Sequence, residues 1–241
     1  LVLRADDDTP RDAVEAAVGA ISAAYPALEI DEHDGGQAHY PLLLAAHPKG
    51  RRLDGATTGI VFDSTADITA DRVLRPSWRM VPLTVRFGDD EYLDAVDLDG
   101  TAFYDRLRRS HDIARTAAPS PGAFEEAYRD LLEQYRDVVS LHISGKLSST
   151  VDSAEAAAAE FGPRVHVFDT LATTGLLALT VDGVQRMLDR GTTVGEVEEY
   201  VRSVSARGGI MFSADTLEYL QRNGRIGRGK ALIGGILRGG P

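Results

Sequence analysis

Cysteine is absent from this 241-residue chain. That excludes disulfides and thiolate chemistry and suits a reducing cytoplasm, the expected location. No apolar run is long enough to span a bilayer. Positive charge is scarce: Lys and Arg total 26 against 37 Asp and Glu, a formal net charge of −11. Such a balance argues against nucleic acid as a partner. A signal peptide and an initiator methionine are both missing, and Leu1-Val2-Leu3-Arg4 starts in what reads as a strand. The chain is therefore expected to be a piece of a longer protein. Two catalytic signatures also fail. There is no G-x-S-x-G elbow. The stretch from Gly224 to Lys230 nearly matches a phosphate-binding loop, but Ala231 stands where the Mg²⁺-holding hydroxyl belongs, and the loop follows a helical pattern instead of a strand.

What is present centres on Thr116-Ala117-Ala118-Pro119-Ser120-Pro121-Gly122. Two prolines and a glycine predict a stiff loop, outside helix and strand interiors. Ser120-Pro121 reads as the N-cap and first turn of a helix over 121–135. A rigid loop holding the Thr116 hydroxyl before a helix start looks built to hold something.

Along the chain, 1–47 reads as a compact β-α-β unit with a glycine turn at Gly35-Gly36. Residues 48–59 have linker composition. His33, Asp34 and His39 fit no helical metal-ligand spacing, and a turn with solvated polar side chains is the favoured reading. From Ile60 onward strands and helices alternate. This predicts a mainly parallel α/β sheet with helices on both faces. Strands are expected at 60–62, at 80–85 with a break at Pro82, at 138–143, at 165–168 and at 209–213. Helices are expected at 101–110, 151–161, 173–190, 194–205 and 215–222.

Polar residues end three of these strands: Asp63-Ser64-Thr65, the run from Ser144 to Thr150, and Asp169-Thr170. In an open α/β sheet that edge is the usual ligand position. Asp63 reads either as a phosphoryl-transfer nucleophile or metal ligand, or as the cap of the next helix; spacing favours the cap. Ser148, at a helix start, reads as an anion seat or as a plain cap. A hydrolase built from Ser144 or Ser148 with His142 and Asp169 is disfavoured, because His142 lies inside the strand and alternation points it away from its neighbour.

Residues 60–241 resemble the DegV family of bacterial fatty-acid-binding proteins. The resemblance rests on Asp63-Ser64-Thr65-Ala66-Asp67, Val81-Pro82-Leu83, Phe103-Tyr104, Thr116 through Gly122, Ile143-Ser144 with Leu147-Ser148-Ser149-Thr150, and Leu217-Glu218-Tyr219-Leu220 with Asn223-Gly224-Arg225-Ile226. It implies a two-lobed α/β protein that buries a long-chain acyl group. The carboxylate is held by Thr116 and by Ser148 or Ser144, with Asp63, Ser64, Thr65, Ser120, Thr150, Asp169 and Thr170 supporting the loops. The family's Thr-Ser-Gln-Pro-Ser is Thr-Ala-Ala-Pro-Ser here, its second serine is Gly145, and its Leu-Ser-Gly-Thr is Leu-Ser-Ser-Thr. A C-terminal portion of the family pattern, including a histidine near the head group, is also expected beyond Pro241.

Residues 34–41, followed by an apolar strand, resemble the C-terminal domain of the fatty acid kinase A subunit, related to dihydroxyacetone kinases. Together the two resemblances imply a fusion with 1–47 as kinase tail, 48–59 as linker and 60–241 as the acyl-binding domain. They imply no cofactor in this chain, only a bound fatty acid; ATP and Mg²⁺ belong to the kinase domain, in cis or in trans. Arg225 and Arg228 are the expected docking cations, and transient membrane contact is compatible with an acyl carrier. The competing reading is a phosphotransferase or hydrolase acting through Asp63 or Ser144.

Overall fold

A run of fully buried strand residues, Ile60, Val61 and Phe62, sets the architecture by sending successive side chains to opposite faces of one sheet. The computed structural model describes residues 2–5, 11–24, 28–37, 40–48, 51–109, 113–210 and 223. The N-terminal part contains β1 (Val2–Ala5), α1 (Arg11–Ala24), β2 (Leu28–Gln37) and β3 (Tyr40–Pro48). The strands are ordered β1-β3-β2, and both pairings are antiparallel. The unit is therefore a split β-α-β with a third strand between the two. Gly35-Gly36 falls inside β2, where the register shifts between Asp34 and Gln37, and does not form the expected turn. Glycine suits such a bulge because it tolerates the local kink.

β4 (Arg52–Leu53) lies in the stretch expected as a linker, yet Leu53 is 1% exposed and belongs to the core. β5 (Thr58–Asp63) follows, then a 3₁₀ turn over Ser64–Ala66, α2 (Ala70–Val73) and β6 (Trp78–Val81). The strand expected over 80–85 is split at Pro82. β6 ends before the proline as the edge strand of the main sheet, and β7 (Thr84–Phe87) starts another. β7, β8 (Asp90–Leu93), α3 (Gly100–Arg109) and β9 (Arg115–Ala117) make a smaller lobe, with sheet order β8-β7-β9. Val85, Phe87 and Leu98 form its core, with Phe103 of α3 packed on them.

Next come α4 (Pro121–Leu132), β10 (Asp137–His142), α5 (Thr150–Ala158) and β11 (Val165–Asp169). α6 (Thr174–Arg190), β12 (Thr192–Thr193) and α7 (Val194–Arg207) complete the described elements. β12 pairs with β4. The main sheet is parallel throughout, in the order β11-β10-β5-β6. One face buries Val61, Val138 and Val165 against α4 and α5; the other buries Ile60, Phe62, Val139 and Leu141 against α6 and α7. Each such side chain contributes about 1.5–3 kcal/mol of burial, which outweighs the weak preferences of the loops between.

The expectation of a parallel α/β sheet covered on both faces holds. Gly209 and Ile210 form no strand, while 211–213, the helix at 215–222 and the segment 224–231 lie outside the described residues. Among the described residues no helix is long and apolar enough to cross a membrane.

Candidate functional site

From β5 the chain moves to β6 on one side, and from β10 to β11 on the other. The connections part between β5 and β10, so a crevice opens at their carboxyl ends, where ligands bind in open α/β sheets. The smaller lobe forms its far wall. The resulting groove has a volume of about 530 Å³. Its apolar walls are Leu83, Val85, Phe103, Ile143 and Leu147, and its polar groups are Thr65, Asp67, Asp94, Tyr104, Thr116, Ser148 and Asn223, whose amide donates to the Ala114 carbonyl at 3.2 Å.

Thr116 and Ser148, distant in sequence, thus reach one groove. Thr116 does so from a strand: β9 pairs antiparallel with β7, with Thr116 opposite Val85. The expectation of a loop fails here because the two prolines lie beyond the strand and leave its backbone N–H groups free to pair. The Thr116 hydroxyl has no hydrogen-bond partner among the described residues. Ser148 Oγ lies 2.8 Å from Thr150 Oγ1, and Ser149, the N-cap of α5, makes no side-chain cap bond.

The other expected residues have separate tasks. Ser144 is fully buried, and its hydroxyl accepts from the Lys146 N–H at 3.2 Å, so it stands behind the groove. Ser120 caps α4 by accepting from the Ala123 N–H. Ser64 Oγ donates to Asp94 Oδ2 at 2.7 Å and accepts from the Leu83 N–H, tying the two lobes. Thr170 Oγ1 donates to the His142 carbonyl at 2.7 Å. Asp169 accepts from the Gly145 and Leu171 N–H groups, and burial pushes its carboxyl above the usual range. A Cβ on Gly145 would sit 3.0 Å from Asp169 Oδ2, so a side chain at this position would crowd the Asp169 carboxyl. Arg225 and Arg228 lie outside the described residues.

Asp63 is the N-cap of the 3₁₀ turn, as spacing favoured. Its carboxylate accepts from Thr65 N, Thr65 Oγ1, His142 Nδ1 and Ile143 N at 3.1, 2.6, 3.1 and 2.9 Å. Burial alone would push this carboxyl up; the hydrogen bond and charge of His142, with Thr65 and the Ile143 amide, outweigh it and hold the group below the usual range. Behind it His142 Nε2 lies 2.6 Å from Ser140 Oγ, which is 2.9 Å from Tyr128 Oη. Ser140, His142, Asp63 and Tyr128 are all fully buried. This Ser-His-Asp series differs from the one weighed in sequence, which used Ser144 or Ser148 and Asp169. Its signal was present: Ser140 and His142 share one face of an otherwise apolar strand. Asp94 left no such signal, because its partner Ser64 lies thirty residues away.

Fold and crevice together define an α/β protein of the doubly wound class, with a ligand groove between a parallel sheet and a smaller antiparallel lobe. A family model described as an uncharacterised protein of the DegV family matches residues 57–239. The chain belongs to the DegV family. A DegV domain-containing protein of Deinococcus radiodurans is 40% identical over 178 residues, covering 74% of this chain and 63% of the relative. A fatty-acid-binding DegV family protein from Thermus thermophilus aligns with a TM-score of 0.68 at 37% identity, over 76% of this chain and 65% of that one. The fatty acid kinase B3 protein of Streptococcus pneumoniae, loaded with linoleic acid, aligns with a TM-score of 0.53 at 25% identity, over 61% and 53% of the two chains. The chain thus spans less than two thirds of the length of these relatives.

Proposed function

We propose that this chain binds a long-chain fatty acid, lays its tail along the apolar walls of the groove, and presents its carboxyl group to a kinase domain for conversion to the acyl phosphate. One observation carries the reading: Thr116 and Ser148 line the same groove, beside Leu83, Val85, Phe103, Ile143 and Leu147. Hydroxyls supply hydrogen bonds to a carboxyl group, and the apolar walls replace water around the first methylenes. The fatty-acid-binding neighbours, among them the fatty acid kinase B3 protein, support it.

On the same reading, ATP and Mg²⁺ belong to the kinase domain, acting in cis or in trans. Residues 1–47 are the tail of a kinase-A-subunit-like domain, and Arg225 and Arg228 dock the partner. The protein works in the cytoplasm. Extraction and mass spectrometry of lipid from the purified full chain should recover a fatty acid. Recovery of lipid-free protein that refuses oleate and palmitate would overturn the proposal. An enzyme acting through Asp63 or Ser144 finds no support in the geometry: both side chains are fully buried, and Asp63 already accepts four hydrogen bonds.

A further inference from the structure

Ser148 reaches the groove from the loop between β10 and α5. The helix that follows does little to hold that loop: Ser149 is the N-cap of α5 and makes no side-chain cap bond. Inside the loop the amides of Leu147 and Ser148 both donate to the Ser144 carbonyl, at 2.8 and 3.1 Å. The start of the loop is tied in turn to the chain that follows β11. Ser144 N–H donates to the Ala172 carbonyl at 2.8 Å, and the next amide, Gly145 N–H, donates to Asp169 Oδ2 at 3.0 Å. Among the described residues Asp169 is the one side chain outside the loop that bonds its backbone.

Asp169 bridges two turns because its two oxygens take different partners. Oδ2 accepts from Gly145 N, and Oδ1 accepts from Leu171 N at 2.8 Å. The turn after β11 takes this shape at a cost: Leu171 has φ 50°, a left-handed position that leucine rarely adopts. Thr170 adds a parallel tie, its hydroxyl donating to the His142 carbonyl and accepting from the Ala172 N–H. Only a carboxylate can fill both places. An asparagine has one acceptor oxygen, and its NH₂ would face an N–H. Asp169 itself is not among the groove-lining residues. A hydrogen bond weakens steeply with misalignment, whereas apolar contact is non-directional. Resting on the fatty-acid reading above, we propose that Asp169 is a positioning residue for the head group: by holding the Gly145 amide it sets where Ser148 Oγ stands in the groove, without touching the ligand.

The test measures palmitate binding to the delipidated full chain. Asp169→Asn should weaken it by roughly three- to tenfold, a loss bounded by that of the Ser148 hydrogen bond itself. In a Ser148→Ala background the same change should cost no more than about twofold, because no hydroxyl is left to misplace. In a Thr116→Val background it should keep its full effect. Gly145→Ala meets the same contact from the other side, since the added Cβ would stand 3.0 Å from Asp169 Oδ2. It should repeat the pattern, and it carries the test if Asp169→Asn does not fold. Amide hydrogen exchange separates positioning from plain destabilisation. Gly145 and Ser148 should exchange much faster in Asp169→Asn, with Leu141 of β10 changed far less; a general loss of stability would speed all three alike. Wild-type affinity in Asp169→Asn, or an equal loss with and without the Ser148 hydroxyl, would overturn the inference while leaving acyl binding intact. Failure of palmitate to bind delipidated wild type would overturn it together with the fatty-acid reading.

Discussion

The Asp63 carboxylate at the end of β5 meets His142 Nδ1, on the neighbouring strand β10, at 3.1 Å, and both side chains are fully buried. The contact joins the two strands whose parting opens the groove. Because a carboxylate only accepts, the proton of this bond sits on Nδ1, leaving Nε2 to Ser140. Asp63→Ala removes the acceptor for His142, Thr65 and the Ile143 N–H together. A loss of about 3–5 kcal/mol is expected. Urea unfolding followed by Trp78, the single tryptophan and fully buried, measures it. A loss near zero would show that this pair does not hold the strand ends.

Removal of the groove donors should weaken binding without weakening the fold. Valine suits an edge strand, so Thr116→Val is expected to fold normally. A hydrogen bond contributes about 1–2 kcal/mol, so Thr116→Val and Ser148→Ala should each cost roughly five- to thirtyfold in fatty-acid affinity. The double variant should be purified largely free of lipid, with a urea midpoint equal to that of delipidated wild type. Ser144→Ala should leave affinity near wild type, since Ser144 stands behind the groove.

Asp137 predicts an acid limit. It is fully buried at the start of β10, where Arg51 Nη2 lies at 2.6 Å, Arg136 Nε at 2.8 Å and His166 Nε2 at 3.5 Å. Burial pushes its carboxyl up, but the hydrogen bonds from His166, Arg136 and Arg51 outweigh that and hold it below the usual range. A lowered carboxyl stabilises the fold above its unfolded value, and the gain is lost as pH falls through the folded one. Stability should therefore drop from about pH 4 downward. Asp137→Asn should be less stable than wild type at pH 7 and should lose less on acidification over that window.

Gly183 of α6 lies against the Tyr200 ring of α7. A Cβ there would lie 1.8 Å from Tyr200 Oη. Gly183→Ala should destabilise by about 1–3 kcal/mol through overpacking. In a Tyr200→Ala background the same change should become neutral or stabilising by up to about 1 kcal/mol, because alanine is the better helix former. Equal effects in both backgrounds would dissociate the glycine from the tyrosine.

Much of this protein was legible before folding is considered. Apolar runs closed by Asp63, by Ser144 and by Asp169 mark buried parallel strands and put their polar ends on one edge, since both features depend only on local pattern. Ser120-Pro121 predicts the start of α4 for the same reason. What stayed hidden depends on pairing between distant segments. Arg115–Ala117 is polar and only three residues long, and it becomes a strand only because β7 offers it an edge. Leu53, in a stretch of linker composition, is drawn into the core by the pairing of β4 with β12.

The sequence by itself determined the layers, the polar rim of the sheet and the hydroxyls of Thr116 and Ser148, because strand alternation and capping are properties of neighbouring residues. Only the tertiary structure decided which of those hydroxyls line the groove and which way each can bond. Ser144 is withdrawn by a local N–H, and Thr65 is turned into an acceptor by Asp63. Asp94 arrives from another lobe. A hydroxyl donates or accepts according to the partner packed against it, and those partners are set by the crossing of chain segments far apart in sequence.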